Sequence, residues 1–232
     1  MLELRNITAG YDAGTVLRDV TITVPDGSVV ALLGPNGAGK TTTLKVASGL
    51  LGTRSGQILV DGEDVTNKAP YELARRGVCH VPEGRGIFPS LSVTDNIRLQ
   101  APARDFKGSL RNATSVFPRL GERAKQISRT MSGGEQQMLA LCHAYVSDPQ
   151  YILLDEVSMG LAPKIVEEIF EYLHDLARQG KSMLLVEQYV AQALKLADYV
   201  YIMDRGTITF AGEPGEISEE TIMNSYLGSL AS

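Results

Sequence analysis

The stretch Gly34–Thr41, Gly-Pro-Asn-Gly-Ala-Gly-Lys-Thr, constrains the fold of this chain more than any other part of the sequence. It fits the pattern G-x-x-x-x-G-K-[ST]. The apolar run 29–33 before it predicts a buried strand, and Thr42 to Ser48 predicts a helix that Gly49 ends. Strand, loop and helix start would form a cradle whose backbone N–H groups attract phosphate. An accidental glycine-rich turn is the weaker interpretation, because such a match should arise in roughly one chain in a hundred of this length.

The residues of this loop carry distinct predicted roles toward a nucleotide. Lys40 would reach the β- and γ-phosphates, and the Thr41 hydroxyl would ligate Mg²⁺. The remaining predicted nucleotide contacts are Gly34, Pro35, Asn36, Gly37, Ala38, Gly39 and Thr42.

Length, charge and cysteine content limit the classes of protein to which this chain can belong. A chain of 232 residues holds one large α/β domain, or one domain with a small insertion. Its 22 Lys and Arg against 27 Asp and Glu argue against a nucleic-acid binder. The sequence has neither an apolar run near the ~20 residues of a membrane span nor a signal-peptide pattern at its start. Cys79 and Cys142 lie far apart in the sequence, which predicts buried thiols in a reducing cytosol.

The order of predicted elements indicates an α/β fold. Strands at 2–8 and 20–24 and a hairpin at 57–60 precede strands that alternate with helices, which predicts a mostly parallel sheet. Residues from about 88 to 130 instead show helical patterning only, so we expect a helical insertion there. Ser92 is its predicted first N-cap, and Gly108-Ser109 suggests a second helix start. The tail from Pro214 is predicted to be helical and peripheral.

A second motif follows the apolar run 151–154. A parallel strand there would bring Asp155 to the carboxyl edge of the sheet, where ligands of open α/β sheets bind. Asp155 could then hold Mg²⁺, and Glu156 could polarise an attacking water. A solvated strand end would look the same in isolation, but the glycine loop in the same chain strengthens the functional interpretation.

The stretch Ser132-Gly133-Gly134-Glu135-Gln136 is the third motif. An ordinary N-cap and flexible turn would explain it in isolation. With the other two motifs in this order, the whole chain resembles the nucleotide-binding subunits of ABC transporters. The resemblance implies one ABC ATPase domain over 1–232: a P-loop core with a mostly parallel sheet, an N-terminal antiparallel β subdomain and the helical insertion.

The resemblance also implies ATP and Mg²⁺ as cofactors and a second ATPase subunit as partner. In this family two subunits enclose two ATP molecules head to tail, and each γ-phosphate meets the third motif of the partner subunit. The nucleotide contacts implied in this way are Ser132, Gly133, Gly134 and Glu135. Whether the partner is a second copy or a different ATPase stays open.

Three shorter stretches, 81–85, 158–163 and 185–188, are similar to the ATPase subunits of branched-chain amino-acid importers, of the smaller type. That branch implies two membrane permease subunits, an extracytoplasmic substrate-binding protein, and a place on the cytoplasmic face of the membrane. Related importers of amides or urea are an alternative, and a soluble ABC protein or a non-hydrolysing adaptor is a more distant one.

The sequence departs from the general ABC pattern at four positions. Glu83 stands where the family usually has glutamine, and Gln188 stands where it usually has histidine. Ala162 replaces an aspartate and Val157 a proline. The resemblance implies that Glu83 lies near the metal and that Gln188 is a catalytic switch, although its amide cannot act as a cationic donor.

Three apolar side chains have one functional and one ordinary interpretation each. Tyr11 lies where this family stacks a ring on adenine, whereas a half-buried tyrosine beside a turn would need no ligand. Phe88 and Leu91 either line the groove for the permease or pack within the insertion.

Overall fold

A computed structural model describes residues 1–84, 86–101 and 105–217 of the chain. Within these residues the strands are β1 (Leu2–Ala9), β2 (Leu17–Val24), β3 (Val29–Leu33), β4 (Thr53–Val60), β5 (Glu63–Asp64), β6 (Val78–Val81), β7 (Tyr151–Asp155), β8 (Ser182–Val186), β9 (Tyr199–Asp204) and β10 (Thr207–Gly212). The α-helices are α1 (Lys40–Ala47), α2 (Pro70–Arg75), α3 (Val93–Gln100), α4 (Phe106–Val116), α5 (Pro118–Glu122), α6 (Gly133–Val146), α7 (Pro163–Arg178) and α8 (Val190–Leu196).

The predicted N-terminal antiparallel subdomain is confirmed. Its sheet has the strand order β2-β1-β4-β5, and every pairing in it is antiparallel. Leu2, Leu4 and Ile7 of β1 are fully buried, as expected for a sheet that turns one face toward a core. Strands β2 and β4 begin earlier than predicted.

The second sheet carries the strands that lead into the predicted motifs. Its order is β10-β9-β3-β8-β7-β6, and all neighbours from β9 to β6 are parallel. Only β10 joins it antiparallel to β9. Strands β3, β7 and β8 are buried along their whole length, which agrees with their mainly apolar sequences. The carboxyl ends of these three strands therefore meet at one edge.

This sheet separates two hydrophobic cores. Val30 and Leu32 of β3 enter the core shared with α1 and the antiparallel subdomain. Their neighbours Val29 and Ala31 enter the other core, which is formed with α6, α7 and the helices of the segment 88–130. The split follows from the two-residue period of a strand, which sends successive side chains to opposite faces.

The segment predicted as a helical insertion contains α3, α4 and α5 and, within its described residues, no strand. Ser92 caps α3 as predicted, because its side chain accepts a hydrogen bond from Asp95 N at 3.1 Å. The predicted helix start at Gly108-Ser109 was wrong. Helix α4 begins at Phe106, and the side chain of Asp105 caps it by accepting from Gly108 N at 2.8 Å.

The C-terminal prediction is tested only at its beginning. One helical turn of the 3₁₀ type spans Pro214–Glu216, and the predicted tail from residue 218 onward lies outside the described residues, as does Arg85. Among the described helices, none has the length and apolarity that a bilayer crossing requires.

Candidate nucleotide-binding and catalytic site

The glycine loop joins the end of β3 to the start of α1 as predicted. Gly34 has φ +148°, and a Cβ there would lie 2.1 Å from the carbonyl oxygen of Met203. Gly39 has φ +114°, and a Cβ there would lie 2.8 Å from Leu17. Only glycine fits either position without displacing a neighbour. The backbone therefore reaches α1 through a tight path that leaves N–H groups at the start of the helix.

Lys40 is the first residue of α1 and is almost completely buried. Its Nζ donates to the carbonyl oxygens of Gly34 and Pro35 at 2.9 and 3.0 Å and lies 4.0 Å from Glu156 Oε1. Burial lowers the pKa of Lys40, and the nearby carboxylates of Glu156 and Asp155 oppose that shift. The ammonium group is thus fixed inside the loop that it is predicted to serve.

Thr41 and Asp155 come together although they lie far apart in the sequence. The Thr41 hydroxyl donates to Asp155 Oδ1 at 3.1 Å. Asp155 is buried, which raises its pKa to about 6, and the charges of Glu156 and Glu83 add to that rise. A hydroxyl and a carboxylate are hard oxygen donors of the kind that Mg²⁺ takes.

The described residues contain no group of three or more His, Cys, Asp or Glu side chains that could hold a metal ion. Proteins usually hold Mg²⁺ through one or two carboxylates together with substrate phosphates. Thr41 and Asp155 therefore fit the predicted cofactor as a partial ligand set.

Glu156 follows β7 in a left-handed backbone conformation, with φ +47°. Its N–H donates to Val186 O at 2.9 Å, which attaches this turn to the end of β8. Glu156 Oε2 accepts a hydrogen bond of 3.1 Å from Gln188 Nε2. The two residues that the sequence assigned to catalysis after these strands are therefore in direct contact.

A cavity of about 420 Å³ brings many of the predicted residues together at the carboxyl edge of the sheet, whereas Gly34, Pro35, Ala38 and Asp155 are not in its lining. Its lining residues are Val16, Asn36, Gly37, Gly39, Lys40, Thr41, Thr42, Glu83, Glu156, Met159 and Gln188. Val16 and Met159 line the cavity although no motif predicts a place for them there, and neither residue carries a sequence signal for binding. Met159 contacts the switch position directly, with its Sδ 3.5 Å from Gln188 Nε2.

The third motif lies at the start of α6 and does not line this cavity. Ser132 caps the helix by accepting from Glu135 N at 3.4 Å, and Glu135 Oε2 accepts from Ser132 N at 2.9 Å. Glu135 also pairs with Arg123 at 2.8 Å and is buried. Ser132 is therefore the N-cap of α6, and its exposed side chain leaves the helix start accessible to another molecule.

Tyr11 lies outside the cavity lining, on the antiparallel subdomain side of the loop. Its ring is 45% exposed, its hydroxyl lies 3.4 Å from Lys45 Nζ, and that ammonium is 5.6 Å from the ring centroid. An exposed ring can accept a stacked base.

Comparisons with known proteins agree with the site. A family model described as ABC transporter matches residues 17–159. The branched-chain amino acid transport ATP-binding protein BraG of Pseudomonas aeruginosa is 38% identical, and the alignment covers 98% of this chain and 100% of BraG. The probable LivF of Archaeoglobus fulgidus is 35% identical, with 94% of each chain covered. The lipopolysaccharide export protein LptB of Escherichia coli is 31% identical, with 98% and 97% covered.

Solved structures show the same fold. An ATP binding subunit of an ABC transporter superposes with a TM-score of 0.83 at 28% identity, covering 99% of this chain and 97% of that one. A dimeric, post-hydrolysis ATP-binding cassette bound to ADP and Pi has the same TM-score at 22% identity, covering 92% and 99%. The α/β fold with a parallel sheet and an antiparallel subdomain is thereby confirmed. On these matches, the chain belongs to the family of ABC transporter ATP-binding subunits, which are ATPases.

Proposed function

We propose that residues 1–232 act as one ABC ATPase domain that hydrolyses MgATP to drive a membrane importer of branched-chain amino acids. The observation that carries the proposal is the cavity in which Lys40, Glu156 and Gln188 converge beside the Thr41–Asp155 pair. The cargo is taken from the names of BraG and LivF, which are more similar to this chain than LptB is.

In this proposal each residue of the cavity has its own role in ATP hydrolysis. Backbone N–H groups of the loop and the Lys40 ammonium bind and orient the phosphates. Thr41 and Asp155 would hold Mg²⁺, with Glu83 close enough to sense it. When bound, the ion neutralises charge on the β- and γ-phosphates. Glu156 accepts the proton of the water that attacks the γ-phosphorus, and Gln188 orients that carboxylate and donates to a phosphate oxygen.

A second ATPase subunit completes the site in this proposal. Ser132 caps α6 and Gly133 and Gly134 start it, and none of the three lines the nucleotide cavity of its own chain. We place this helix start, with Glu135 fixing it, against the γ-phosphate held by the partner subunit. Tyr11 stacks on the adenine of its own nucleotide. Either a second copy of this chain or a related ATPase could supply the partner.

The proposed membrane partners are two permease subunits, which would hold this chain at the cytoplasmic face and receive cargo from an extracytoplasmic binding protein. Three large apolar side chains, Leu50, Tyr71 and Phe88, are each more than half exposed. Leu50 also lines a cavity of about 260 Å³ between α1, α2 and β6. Exposed apolar side chains of this size fit a docking partner better than water.

The substitution Glu156→Gln tests the catalytic assignment. It keeps the shape of the side chain but removes the proton acceptor, so turnover should fall at least about 100-fold while ATP affinity stays near wild type. It should also stabilise an ATP-bound dimer, measured by size exclusion with ATP. Glu171→Gln on the exposed face of α7 is the matched control. Turnover of Glu156→Gln within a few-fold of wild type would remove Glu156 from this role.

Cargo is tested separately by uptake of radiolabelled leucine and of urea in cells that lack this chain. Restored leucine uptake by the wild-type chain, and none by Lys40→Ala, would support the amino-acid assignment. Restoration of urea uptake alone would assign the alternative importer class.

A further inference from the structure

Glu187 is a buried carboxylate that the mechanism above leaves without a role. It follows β8 directly and is only 1% exposed. Its Oε1 accepts from Ser158 N at 3.1 Å, and its Oε2 accepts from the Ser158 hydroxyl and from Gln188 N, the latter at 3.3 Å. Ser158 is itself fully buried. The carboxylate therefore joins the turn after β7 to the residue after β8.

Both segments that Glu187 joins carry catalytic residues. The turn contains Glu156, whose left-handed backbone is strained for a residue with a side chain, and Gly160 at φ +70°. The turn is closed by a bond of 3.2 Å from Met159 N to Glu156 O. A strained turn keeps one conformation only where its surroundings fix it. The Glu156–Val186 bond fixes one end of this turn, and the Ser158–Glu187 bonds fix its middle.

We propose that Glu187 is a positioning residue for ATP hydrolysis, which holds the Glu156 turn and Gln188 together so that both side chains face the nucleotide cavity. The inference rests on the proposed function, because it assigns a role relative to Glu156 and Gln188.

A purely stabilising role does not account for this carboxylate. Burial of an ionised carboxyl group costs free energy, and the described residues show no salt bridge to Glu187. Burial raises its pKa to about 7, and the charge of Glu156 adds to the rise. An apolar residue at this place would avoid that cost but would offer no acceptor to Ser158 and Gln188.

The test compares Glu187→Ala, Ser158→Ala and Glu187→Gln with wild type and with the surface control Glu171→Gln. Turnover is measured at saturating MgATP, and affinity is measured with a fluorescent ATP analogue. Because neither residue touches the glycine loop, the nucleotide Kd should stay within about twofold in all variants. Turnover should fall about 30-fold in Glu187→Ala and about fivefold in Ser158→Ala.

The glutamine variant separates positioning from charge. Its amide oxygen can take the place of Oε1 and accept from Ser158 N, and its NH₂ can donate to Ser158 Oγ, whereas the N–H of Gln188 loses its acceptor. Glu187→Gln should therefore lose turnover by less than about tenfold and stay more active than Glu187→Ala. Glu187→Gln as inactive as Glu187→Ala would overturn the positioning role, as would equal losses of turnover and affinity. If Glu187→Ala does not fold, Ser158→Ala decides, because turnover at the wild-type rate in that variant would contradict a positioning contact between Glu187 and Ser158.

Failure of this inference differs from failure of the proposed function. If Glu156→Gln abolishes turnover while Glu187→Ala and Ser158→Ala hydrolyse ATP at the wild-type rate, only the role of Glu187 is wrong. If Glu156→Gln itself hydrolyses ATP normally, the proposed catalytic site is wrong.

Discussion

Gln188 Nε2 donates a hydrogen bond of 3.1 Å to Glu156 Oε2, so a neutral amide orients the carboxylate that is assigned to catalysis. The resemblance to ABC ATPases places histidine at the usual switch position. An amide can hold the same geometry at every pH because it does not titrate, whereas an imidazole gains a charge near neutral pH.

Gln188→His should therefore keep a working switch but introduce a pH dependence. We expect turnover to vary between about pH 6 and 8 in the variant, where the new imidazole titrates, and to vary less in wild type. The measurement is the turnover number at saturating MgATP across that range. Parallel pH profiles for the two proteins would contradict a direct role of residue 188 in the catalytic step.

Lys40→Ala and Ser132→Arg should separate binding within one chain from closure between two. Lys40 Nζ lies inside the glycine loop, so its loss should weaken ATP binding to the monomer at least about tenfold. Ser132 lies outside that cavity, so its arginine variant should bind ATP as a monomer but should not dimerise. Monomer affinity comes from titration with a fluorescent nucleotide, and dimerisation from light scattering. An equal loss of monomer affinity in both variants would contradict the two-subunit site.

Glu83→Gln tests whether the loop after β6 senses the metal. The charge of Glu83 contributes to the raised pKa of Asp155, so the two carboxylates interact. Removal of that charge should change the Mg²⁺ concentration that gives half-maximal turnover and should weaken stimulation by the permease subunits. The assay uses the reconstituted transporter over a range of Mg²⁺ concentrations. If the turnover of Glu83→Gln depends on Mg²⁺ concentration as that of wild type does, Glu83 is a surface residue without a role in sensing the metal.

His80 should make the protein sensitive to acid. Both of its ring nitrogens are buried without a hydrogen-bond partner among the described residues, and burial lowers its pKa from 6.5 to about 4, with Lys45 adding to the effect. Between these values the unfolded chain binds the proton and the folded chain does not. Above pH 6.5 His80 is neutral in both states and does not change the free energy of unfolding. As the pH drops from 6.5 to 4, His80 should lower the free energy of unfolding by about 3 kcal/mol.

The control for this prediction is the exposed His174. Urea unfolding at pH 7.5 and pH 4.5 should show that His80→Leu loses less stability on acidification than wild type, whereas His174→Leu loses as much as wild type. If the free energies of unfolding of His80→Leu and wild type differ by the same amount at both pH values, the shifted pKa of His80 is contradicted.

The place of a motif in the fold could be predicted from sequence where the motif is local, whereas the roles of its residues stay predictions. The glycine loop, Asp155 and Glu156 each directly follow an apolar run, and parallel strands bring such positions to one sheet edge. The start of α4 was misplaced because Gly108 looked like a helix boundary. Its N–H is in fact the donor to the Asp105 cap, so the glycine lies within the first turn.

The role proposed for Glu187 could not be predicted from sequence. A carboxylate next to a strand end is expected to face solvent, and nothing in the order of residues places Ser158 against it. That contact depends on the left-handed turn at Glu156, which bends the chain back onto the end of β8. The contact of Met159 with Gln188 has the same origin.

The division of the core by the six-stranded sheet has a mechanical consequence. Because successive residues of β3 are locked into opposite close-packed interiors, the sheet resists deformation and serves as a rigid frame. We therefore expect motion in the two segments that leave this frame at its carboxyl edge. One contains Glu83 and leads to the helical segment, and the other contains Gln188 and leads to α8. In the proposed transporter, a force from the permease subunits would reach the nucleotide through displacement of these two short loops, while the strands between them keep their positions.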